Sequence, residues 1–270
     1  MMQVKNGQVA AGDSLMDYAC FGQGKKVLIV LPGLSDGLAT VKGKALLLFS
    51  PYRRHMKDYT VYMFSRKRDL GKDSTIWQMA RDQAEALKNL GIHKASVLGV
   101  SQGGMIAQAL AILEESLVDK LVLAVTVPWC TEIARGCLEH WMALAREGKH
   151  GDLMRNTAEK SYSPEYLKKY RKYYPFLGLV GKPKNYDRFE ANVEAISGFD
   201  ARKDIGNISI PTFILGGEKD QIVGAEGSLE LAKLIPGSSL HMYKDLGHAA
   251  YEEAGDFYER GFAFLDGQSE

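Results

Sequence analysis

The sequence predicts a doubly wound α/β fold, built on a mostly parallel sheet and interrupted by one helical insert. Short runs of branched apolar residues alternate along the chain with segments of helical periodicity. This rhythm stops once, from about residue 128 to residue 207, where the patterns are helical throughout and indicate no convincing strand. Strands that are apolar on both faces are typical of parallel sheets, and alternation with helices is typical of doubly wound ones.

Six segments have the composition of buried strands, because they are short, rich in β-branched or aromatic residues and bounded by turn residues. They span residues 26–31, 59–64, 95–100, 120–127, 211–215 and 239–243. Helical periodicity fills the intervals, at residues 75–90, 105–113, 225–234 and 255–265. We therefore predict a core of residues 1–127 and 208–270, with residues 128–207 as a helical cap inserted between two strands.

The composition is that of an ordinary globular protein without excess charge. The 270 residues include 34 basic and 33 acidic side chains, which gives a formal net charge of +1. This balance offers no electrostatic reason to expect a nucleic-acid or membrane partner, so a small-molecule substrate is predicted. A basic, aromatic run at residues 167–174 is interpreted as a cap helix with a solvated basic face, since its tyrosines share one side of the helix.

The cysteines and the N-terminal residues indicate the compartment. Cys20, Cys130 and Cys137 form an odd set without metal-site spacing, so three idle thiols are predicted, with a Cys130–Cys137 disulfide as the alternative. The first seven residues lack the apolar core of a signal peptide, and no apolar run is long enough to span a bilayer. We predict a cytoplasmic protein.

The strongest chemical motif is Gly99-Val100-Ser101-Gln102-Gly103, which directly follows a predicted strand and opens a predicted helix. A G-x-S-x-G match indicates a nucleophile only in this strand–turn–helix context, and elsewhere it is a chance loop. The turn is tight, so the residues two positions either side of the serine must be small, as Gly99 and Gly103 are. Ser101 then stands at a helix N-terminus, which favours developing negative charge. We predict Ser101 as the nucleophile.

A serine hydroxyl needs a base to remove its proton. Four of the six histidines lie in charged or helical surroundings, and His241 lies inside a predicted strand. His248 follows the last predicted strand, and residues just past strand ends gather at the carboxyl edge of a parallel sheet. We predict His248 as the base; the alternative is a solvent-facing loop histidine.

The base in turn needs a carboxylate that holds its tautomer and stabilises the imidazolium. Asp220 lies at the exit of the strand at residues 211–215, on the same edge of the sheet, and is the predicted partner. Glu218, two residues closer to that strand, and Asp245, close to His248 in sequence, are the alternatives. The order Ser101, Asp220, His248 matches the order of catalytic residues in one class of serine hydrolase.

A tetrahedral intermediate needs two amide donors for its oxyanion. The amide of Gln102, the residue after the predicted nucleophile, is one candidate. The loop after the strand at residues 26–31 should supply the other, and because Pro32 has no N–H we predict the amide of Leu34. The alternative is that Pro32-Gly33 forms an ordinary turn.

These motifs together resemble the α/β-hydrolase superfamily. Residues 99–107 are similar to the nucleophile turn of the branch that includes proline iminopeptidases, enol-lactone hydrolases and small carboxylesterases. Residues 210–220 resemble the acid loop of that branch, and residues 245–248 resemble its histidine loop. The resemblance covers residues 14–127 and 208–266, and residues 128–207 correspond to the family's variable cap. It implies serine-dependent hydrolysis of an ester, lactone, thioester or amide, with no metal or organic cofactor.

Two loops depart from the family pattern. Many members carry a His-Gly pair where this chain has Leu31-Pro32-Gly33. Many also carry an Asp-x-Arg-Gly-x-Gly-x-Ser run where residues 65–71 read Ser-Arg-Lys-Arg-Asp-Leu-Gly. Since the second loop is expected at the edge of the pocket, the resemblance does not by itself assign any one member's substrate to this chain.

Three functions are compatible with the motifs. The favoured hypothesis is a serine hydrolase that acts by acyl transfer on a small ester, lactone or amide, most closely like a carboxylesterase. A second hypothesis is a non-catalytic small-molecule receptor on a hydrolase scaffold, since a fold does not determine a function. A third keeps Ser101, Asp220 and His248 but uses them in a cofactor-free perhydrolase or lyase.

Overall fold

The computed structural model describes residues 3–179 and 181–268, and a sheet of eight strands carries the fold. In chain order the strands are β1 (Val4–Ala11), β2 (Ser14–Gly22), β3 (Lys26–Leu31), β4 (Tyr59–Lys67), β5 (Ala95–Val100), β6 (Val118–Ala124), β7 (Thr212–Gly217) and β8 (Ser239–Tyr243). Their order across the sheet is β1-β2-β4-β3-β5-β6-β7-β8. The β1–β2 and β2–β4 pairs are antiparallel and the others are parallel, which confirms the predicted α/β fold class.

Helices cover both faces of this sheet. In chain order they are α1 (Ala45–Leu48), α2 (Ile76–Asn89), α3 (Gln102–Leu113), α4 (Glu132–Arg146), α5 (His150–Ser161), α6 (Pro164–Tyr170), α7 (Asp187–Ser197), α8 (Ala225–Leu234), α9 (Ala250–Glu253) and α10 (Phe257–Leu265). Short 3₁₀ turns lie at Leu34–Gly37, Ser50–His55, Glu115–Leu117, Arg171–Leu179 and Ile205–Asn207. The helix α2 starts where the sequence predicts, because the Thr75 hydroxyl accepts a hydrogen bond from the Gln78 amide and so caps its first turn.

The apolar core consists of two clusters on opposite faces of the sheet. Ile29 and Leu31 of β3 belong to one cluster, with residues of α2, α3 and the insert. Leu28 and Val30, at the alternate positions of the same strand, belong to the other, with residues of α10. Successive strand residues point to opposite faces, so a strand that is apolar at every position is buried on both sides.

The strands β1 and β2 lie outside the predicted strands. Both pair in antiparallel fashion, and β1 is an edge strand with about half of its residues exposed. A half-exposed edge strand does not need a continuous apolar run, which is the signal that predicts the parallel strands. The predicted strand at residues 59–64 also extends further, to Lys67, because β2 pairs with its far end.

Between β6 and β7 the described part of residues 128–207, called the cap below, is largely helical. Backbone contacts close its base, since the Cys130 amide donates to Phe199 (3.2 Å) and the Ala201 amide donates to Pro128 (2.8 Å). The buried cap residues belong to the same apolar cluster as α2 and α3. Val180 lies outside the described residues, and the division of the chain into core and cap remains a prediction.

Candidate active site

Ser101 occupies the turn between β5 and α3 in a backbone conformation that L-residues seldom adopt, with φ 53° and ψ −120°. Such strain persists only where the surroundings hold it in place. The Ser101 amide donates to the Ala124 carbonyl (2.9 Å). The Ser101 carbonyl accepts from the Gly104 amide (2.8 Å) and from the Thr126 hydroxyl (2.7 Å). The neighbouring strand therefore holds the turn that presents the Ser101 hydroxyl.

Glycines allow this turn to pack tightly. A Cβ atom on Gly99 would lie 2.5 Å from the Gly103 carbonyl oxygen, and one on Gly103 would overlap the backbone of Leu31 and Pro32. Both positions therefore require glycine, as predicted from the motif. The lack of a side chain at Gly103 also lets the start of α3 lie directly against the loop that follows β3.

His248 and Asp220 converge on Ser101 in a line of two hydrogen bonds. The imidazole Nε2 lies 2.9 Å from Ser101 Oγ, and the Nδ1 lies 2.8 Å from Asp220 Oδ2. With Asp220 ionised, Nδ1–H donates to the carboxylate, which leaves Nε2 to accept from the serine hydroxyl. Both side chains are largely buried, and each residue is 8% exposed.

The environment keeps Asp220 charged. Burial by itself raises the pKa of this carboxyl, but the charge and hydrogen bond of His248 lower it more, together with two backbone amides. Those amides belong to Ile222 (2.8 Å) and Val223 (3.0 Å), and both donate to Asp220 Oδ1. The net pKa of Asp220 is below its ordinary value, as an orienting carboxylate requires.

The alternative carboxylates lie elsewhere. Glu218 is exposed. Asp245 forms a surface ion pair with Lys219 at 3.2 Å. His241 remains in β8, where its ring packs edge-on against Tyr243. The structure therefore brings Asp220 and His248 to Ser101, and it does not bring the competing residues there.

Both predicted oxyanion donors lie beside Ser101. Leu34 is the first residue of a 3₁₀ turn and Gln102 is the first residue of α3, and amides at the first position of a helix have no acceptor within it. The loop backbone touches the serine, because a Cβ on Gly33 would lie 3.3 Å from Ser101 Cβ and 3.8 Å from its Oγ. Both residues line the same cavity as Ser101 and His248.

A cavity of about 160 Å³ opens beside Ser101, between the core and the cap. Its walls are mostly aliphatic and aromatic. The core contributes Leu34, Leu38, Met105, Ile222, Val223 and Tyr251, and the cap contributes Ala134, Leu138, Trp141, Leu153, Met154, Phe189 and Ile196. The polar lining consists of Ser35, Ser101, Gln102, Thr157, Ser161 and His248.

Three charged side chains, Asp36, Arg66 and Arg188, form a buried charge cluster next to this cavity. Arg66 and Asp36 are 4% and 0% exposed, and the Arg188 side chain is 19% exposed. Arg188 Nη2 donates to Asp36 Oδ2 at 2.6 Å, whereas Arg66 Nη1 lies 3.9 Å from the same oxygen. Burial lowers the pKa of Arg66 to about 10, with Asp36 opposing the shift and Arg188 adding to it.

The charge cluster holds the two segments that carry the predicted oxyanion donors. Arg66 Nη2 donates to the Pro32 carbonyl (2.6 Å) and to Gln102 Oε1 (3.0 Å). Gln102 Nε2 in turn donates to Asn192 Oδ1 of the cap (2.8 Å). These roles were not predicted from the sequence. Arg66 lies near the C-terminal end of β4, just past the predicted strand at residues 59–64 and on the same sheet edge as Ser101, and this position is the signal that could have identified it.

The cap also contacts the loop that carries His248. The Ala249 amide donates to the Ser161 carbonyl at the end of α5 (2.9 Å). The Tyr162 hydroxyl donates to Glu252 (2.6 Å), and the Ser163 amide donates to Glu253 (2.9 Å). The cap is therefore bonded to both sides of the candidate site.

Three further observations concern metal ligands, membrane-spanning helices and the cysteines. Within residues 3–179 and 181–268, no three histidine, cysteine or acidic side chains are grouped as a metal site would require. In the same part of the chain, no helix has both the length and the hydropathy needed to cross a bilayer. Cys20, Cys130 and Cys137 are buried free thiols, so the alternative Cys130–Cys137 disulfide is not formed.

Comparison with known proteins agrees with this architecture. A family model described as the alpha/beta hydrolase fold matches residues 27–255. A 2-hydroxy-6-oxononadienedioate/2-hydroxy-6-oxononatrienedioate hydrolase of Klebsiella pneumoniae is 30% identical over 199 residues, which are 69% of this chain and 67% of that protein. The 3-oxoadipate enol-lactonase 2 of Acinetobacter baylyi is 23% identical over 87% of this chain and 86% of its own length.

Solved structures show the same fold. The alpha/beta hydrolase MGS-M2, from a deep-sea metagenome library, superposes with a TM-score of 0.86 at 19% identity, covering 98% of both chains. The enol-lactonase of Burkholderia xenovorans superposes with a TM-score of 0.79 at 20% identity, covering 96% of this chain and 100% of that one.

Proposed function

Because the chain belongs to the alpha/beta hydrolase fold family, we propose that it is a serine hydrolase that acts by acyl transfer on a small ester, lactone or amide, with Ser101 as its nucleophile. The observation that carries this proposal is the line of hydrogen bonds from Ser101 through His248 to Asp220, at 2.9 and 2.8 Å. Groups at these distances can transfer a proton directly.

The first half of the reaction forms an acyl-enzyme. Ser101 Oγ attacks the substrate carbonyl carbon while its proton moves to His248 Nε2. Asp220 stabilises the resulting imidazolium, and the amides of Leu34 and Gln102 donate to the oxyanion. When the tetrahedral intermediate collapses, the bond to the leaving group breaks and His248 gives its proton to that group.

The second half releases the acyl group. Water attacks the acyl carbonyl while His248 Nε2 takes its proton, and the same two amides hold the second oxyanion. The bond to Ser101 then breaks, and His248 returns the proton to the serine oxygen. The product is a carboxylic acid, and the protein regains its starting state without any external cofactor.

The names of the similar proteins do not select one substrate. They include hydrolases of dioates, an enol-lactonase and an esterase. We favour an ester as the substrate because the lining of the cavity is mostly apolar. We further propose that the protein acts in a reducing compartment such as the cytoplasm, which its three free thiols support.

Two measurements test the proposal. A fluorophosphonate probe should attach covalently to Ser101, and an inert serine would favour the receptor hypothesis. A panel of esters of graded length, lactones and aminoacyl amides should give turnover with wild type and none with Ser101→Ala. Turnover of the panel that is unchanged in Ser101→Ala would refute the proposed nucleophile.

A further inference from the structure

We propose that the part of the substrate that enters the cavity is apolar and uncharged, so that the protein discriminates strongly against carboxylate-bearing substrates. This inference rests on the proposed function, because it names the substrate class of the same site. It begins from the charges around the cavity. Among the described residues, His248 is the lining side chain that can carry a positive charge, and its nitrogens face Asp220 and Ser101.

Four side chains of the lining, named below, have their donors committed elsewhere. The Thr157 hydroxyl donates to the Leu153 carbonyl (2.9 Å), and the Ser161 hydroxyl donates to the Thr157 carbonyl (2.7 Å). Gln102 donates to Asn192 at 2.8 Å. The Trp141 indole donates to Asn156 at 2.9 Å. At these four positions a substrate carboxylate would meet groups whose hydrogens are already donated elsewhere. The exposed Ser35 hydroxyl and the amides of Leu34 and Gln102 also border the cavity, but none of them carries a charge.

The two arginines of the charge cluster do not supply the missing cation. Arg188 donates to Asp36, both to its carboxylate (2.6 Å) and to its carbonyl (3.1 Å), and to the carbonyls of Lys67 (2.7 Å) and Arg66 (3.0 Å). Arg66 is buried, and its hydrogen bond to a side chain of the lining is made to Gln102. Their positive charge is used to hold backbone and cap, and it does not face the cavity.

The size of the cavity bounds the group that fits. Its volume is about 160 Å³. An apolar protein cavity of about 150 Å³ holds one benzene ring, so the accommodated group has on the order of six to eight non-hydrogen atoms. A carboxylate transferred into such surroundings loses its hydration without a cation to compensate for that loss, which is strongly unfavourable. Aliphatic or aromatic groups of this size are the expected occupants.

Matched esters test the inference. p-Nitrophenyl hexanoate is compared with the mono-p-nitrophenyl ester of hexanedioic acid, which carries a carboxylate at the end of the acyl chain. Hexyl hexanoate is compared with the hexanoate ester of 6-hydroxyhexanoic acid, which carries it on the alcohol side. We expect kcat/KM to fall on the order of 100-fold for at least one placement. If both carboxylate esters stay within about 10-fold of their neutral partners, the inference is wrong.

A cation introduced into the lining provides a second measurement. Met154 lines the cavity from α5 and is partly exposed, so Met154→Lys places an ammonium there without burying it fully. Met154→Lys should raise kcat/KM for the carboxylate ester, relative to its neutral partner, at least 10-fold over wild type. The uncharged control Met154→Gln should not. If Met154→Lys and Met154→Gln give the same kcat/KM ratio between the carboxylate ester and the neutral ester, the lack of a cation is not the cause of the discrimination.

The same experiment separates this inference from the proposed function. If wild type cleaves the neutral esters and Ser101→Ala does not, the proposed function stands, and the ratio between esters alone decides the substrate class. If the neutral esters are not cleaved, or are cleaved equally by Ser101→Ala, the proposed function itself is wrong.

Discussion

The cavity and the charge cluster are chemical opposites, and Gln102 connects them because it lines the cavity and accepts a hydrogen bond from Arg66. The cavity is lined mostly by aliphatic and aromatic side chains, whereas the cluster buries the Arg66 guanidinium and the Asp36 carboxylate almost completely and the Arg188 guanidinium in large part. Buried charge is expensive unless it is paired and hydrogen-bonded. The difference indicates that this protein uses its buried charges to hold the backbone around Ser101 and leaves the substrate an apolar site.

The largest expected effect lies on the cavity side. Ser101→Ala removes the hydroxyl that forms the acyl-enzyme, so kcat should fall by about 10⁴-fold or more while the fold is kept. Steady-state kinetics on a neutral ester, with circular dichroism as the control for folding, measures this. Residual turnover near the wild-type rate would show that the cavity serves another nucleophile.

Breaking the charge cluster should affect stability most. Asp36→Asn leaves Arg66 and Arg188 facing one another without their carboxylate, and the loss of one partner from a buried ion pair costs about 3–5 kcal/mol in free energy of unfolding. Urea denaturation measures this cost. The control is Asp245→Asn, at an exposed ion pair with Lys219, where a loss of about 0–1 kcal/mol is expected. Equal losses would mean that the cluster contributes no more than a surface pair.

Arg66→Met sharpens the comparison, because it separates positioning from stability. Burial already opposes the charge of Arg66, whose pKa is lowered to about 10, so its removal should cost less stability than Asp36→Asn. In this variant Pro32 and Gln102 lose the donor that they share. Misplaced oxyanion donors reduce the stabilisation of the transition state more than that of the ground state, so we expect kcat to fall about 10-fold with KM little changed.

The matched control for that variant is Arg68→Met. Arg68 follows the same strand and pairs with Asp17 at 2.6 Å, away from Ser101. Arg68→Met should leave kcat within about twofold of wild type, because Arg68 donates to Asp17 and not to the segments that carry Leu34 and Gln102. A similar loss of kcat in both variants would assign the effect to the strand and not to the contacts of Arg66.

The smallest expected effect is a pH dependence on the cavity side. The folded-state pKa of Asp220 is lowered, so its contribution to stability is fully present above the unfolded-state value of about 3.9 and is lost as the pH falls through the folded value. The difference in unfolding free energy between wild type and Asp220→Asn should therefore be larger at about pH 5 than below pH 4, where it shrinks as the carboxylate is protonated. Urea titrations across this range measure it, and a constant difference down to pH 2 would contradict the lowered pKa.

The sequence allowed much of the core to be predicted, because strand burial and strand ends leave local signals. The apolar run Ala95–Val100 and the small residues after it predict the turn that carries Ser101. The positions of Asp220 and His248 just past strand ends place them on one sheet edge. The two hydrogen bonds between these residues agree with that expectation.

Other features left no such signal. The strand β1 is an exposed edge strand, and antiparallel pairing does not require a continuous apolar run. The charge cluster joins Asp36, Arg66 and Arg188, whose contact depends on how the cap packs and not on local periodicity. The cavity lining could not be predicted for the same reason, since residues such as Trp141 and Ile196 come together only when the cap helices pack.

The hydrogen bond from the Ala249 amide to the Ser161 carbonyl connects the cap to the residue next to the imidazole. Any movement of α5 that admits a ligand by lifting the cap stretches this bond and loosens the loop on which His248 is mounted. In such a movement, ligand entry and the alignment of His248 for proton transfer would oppose one another. With the cap wide open, His248 would be poorly aligned with Ser101 and Asp220. Full alignment would return only once the cap had closed over the ligand.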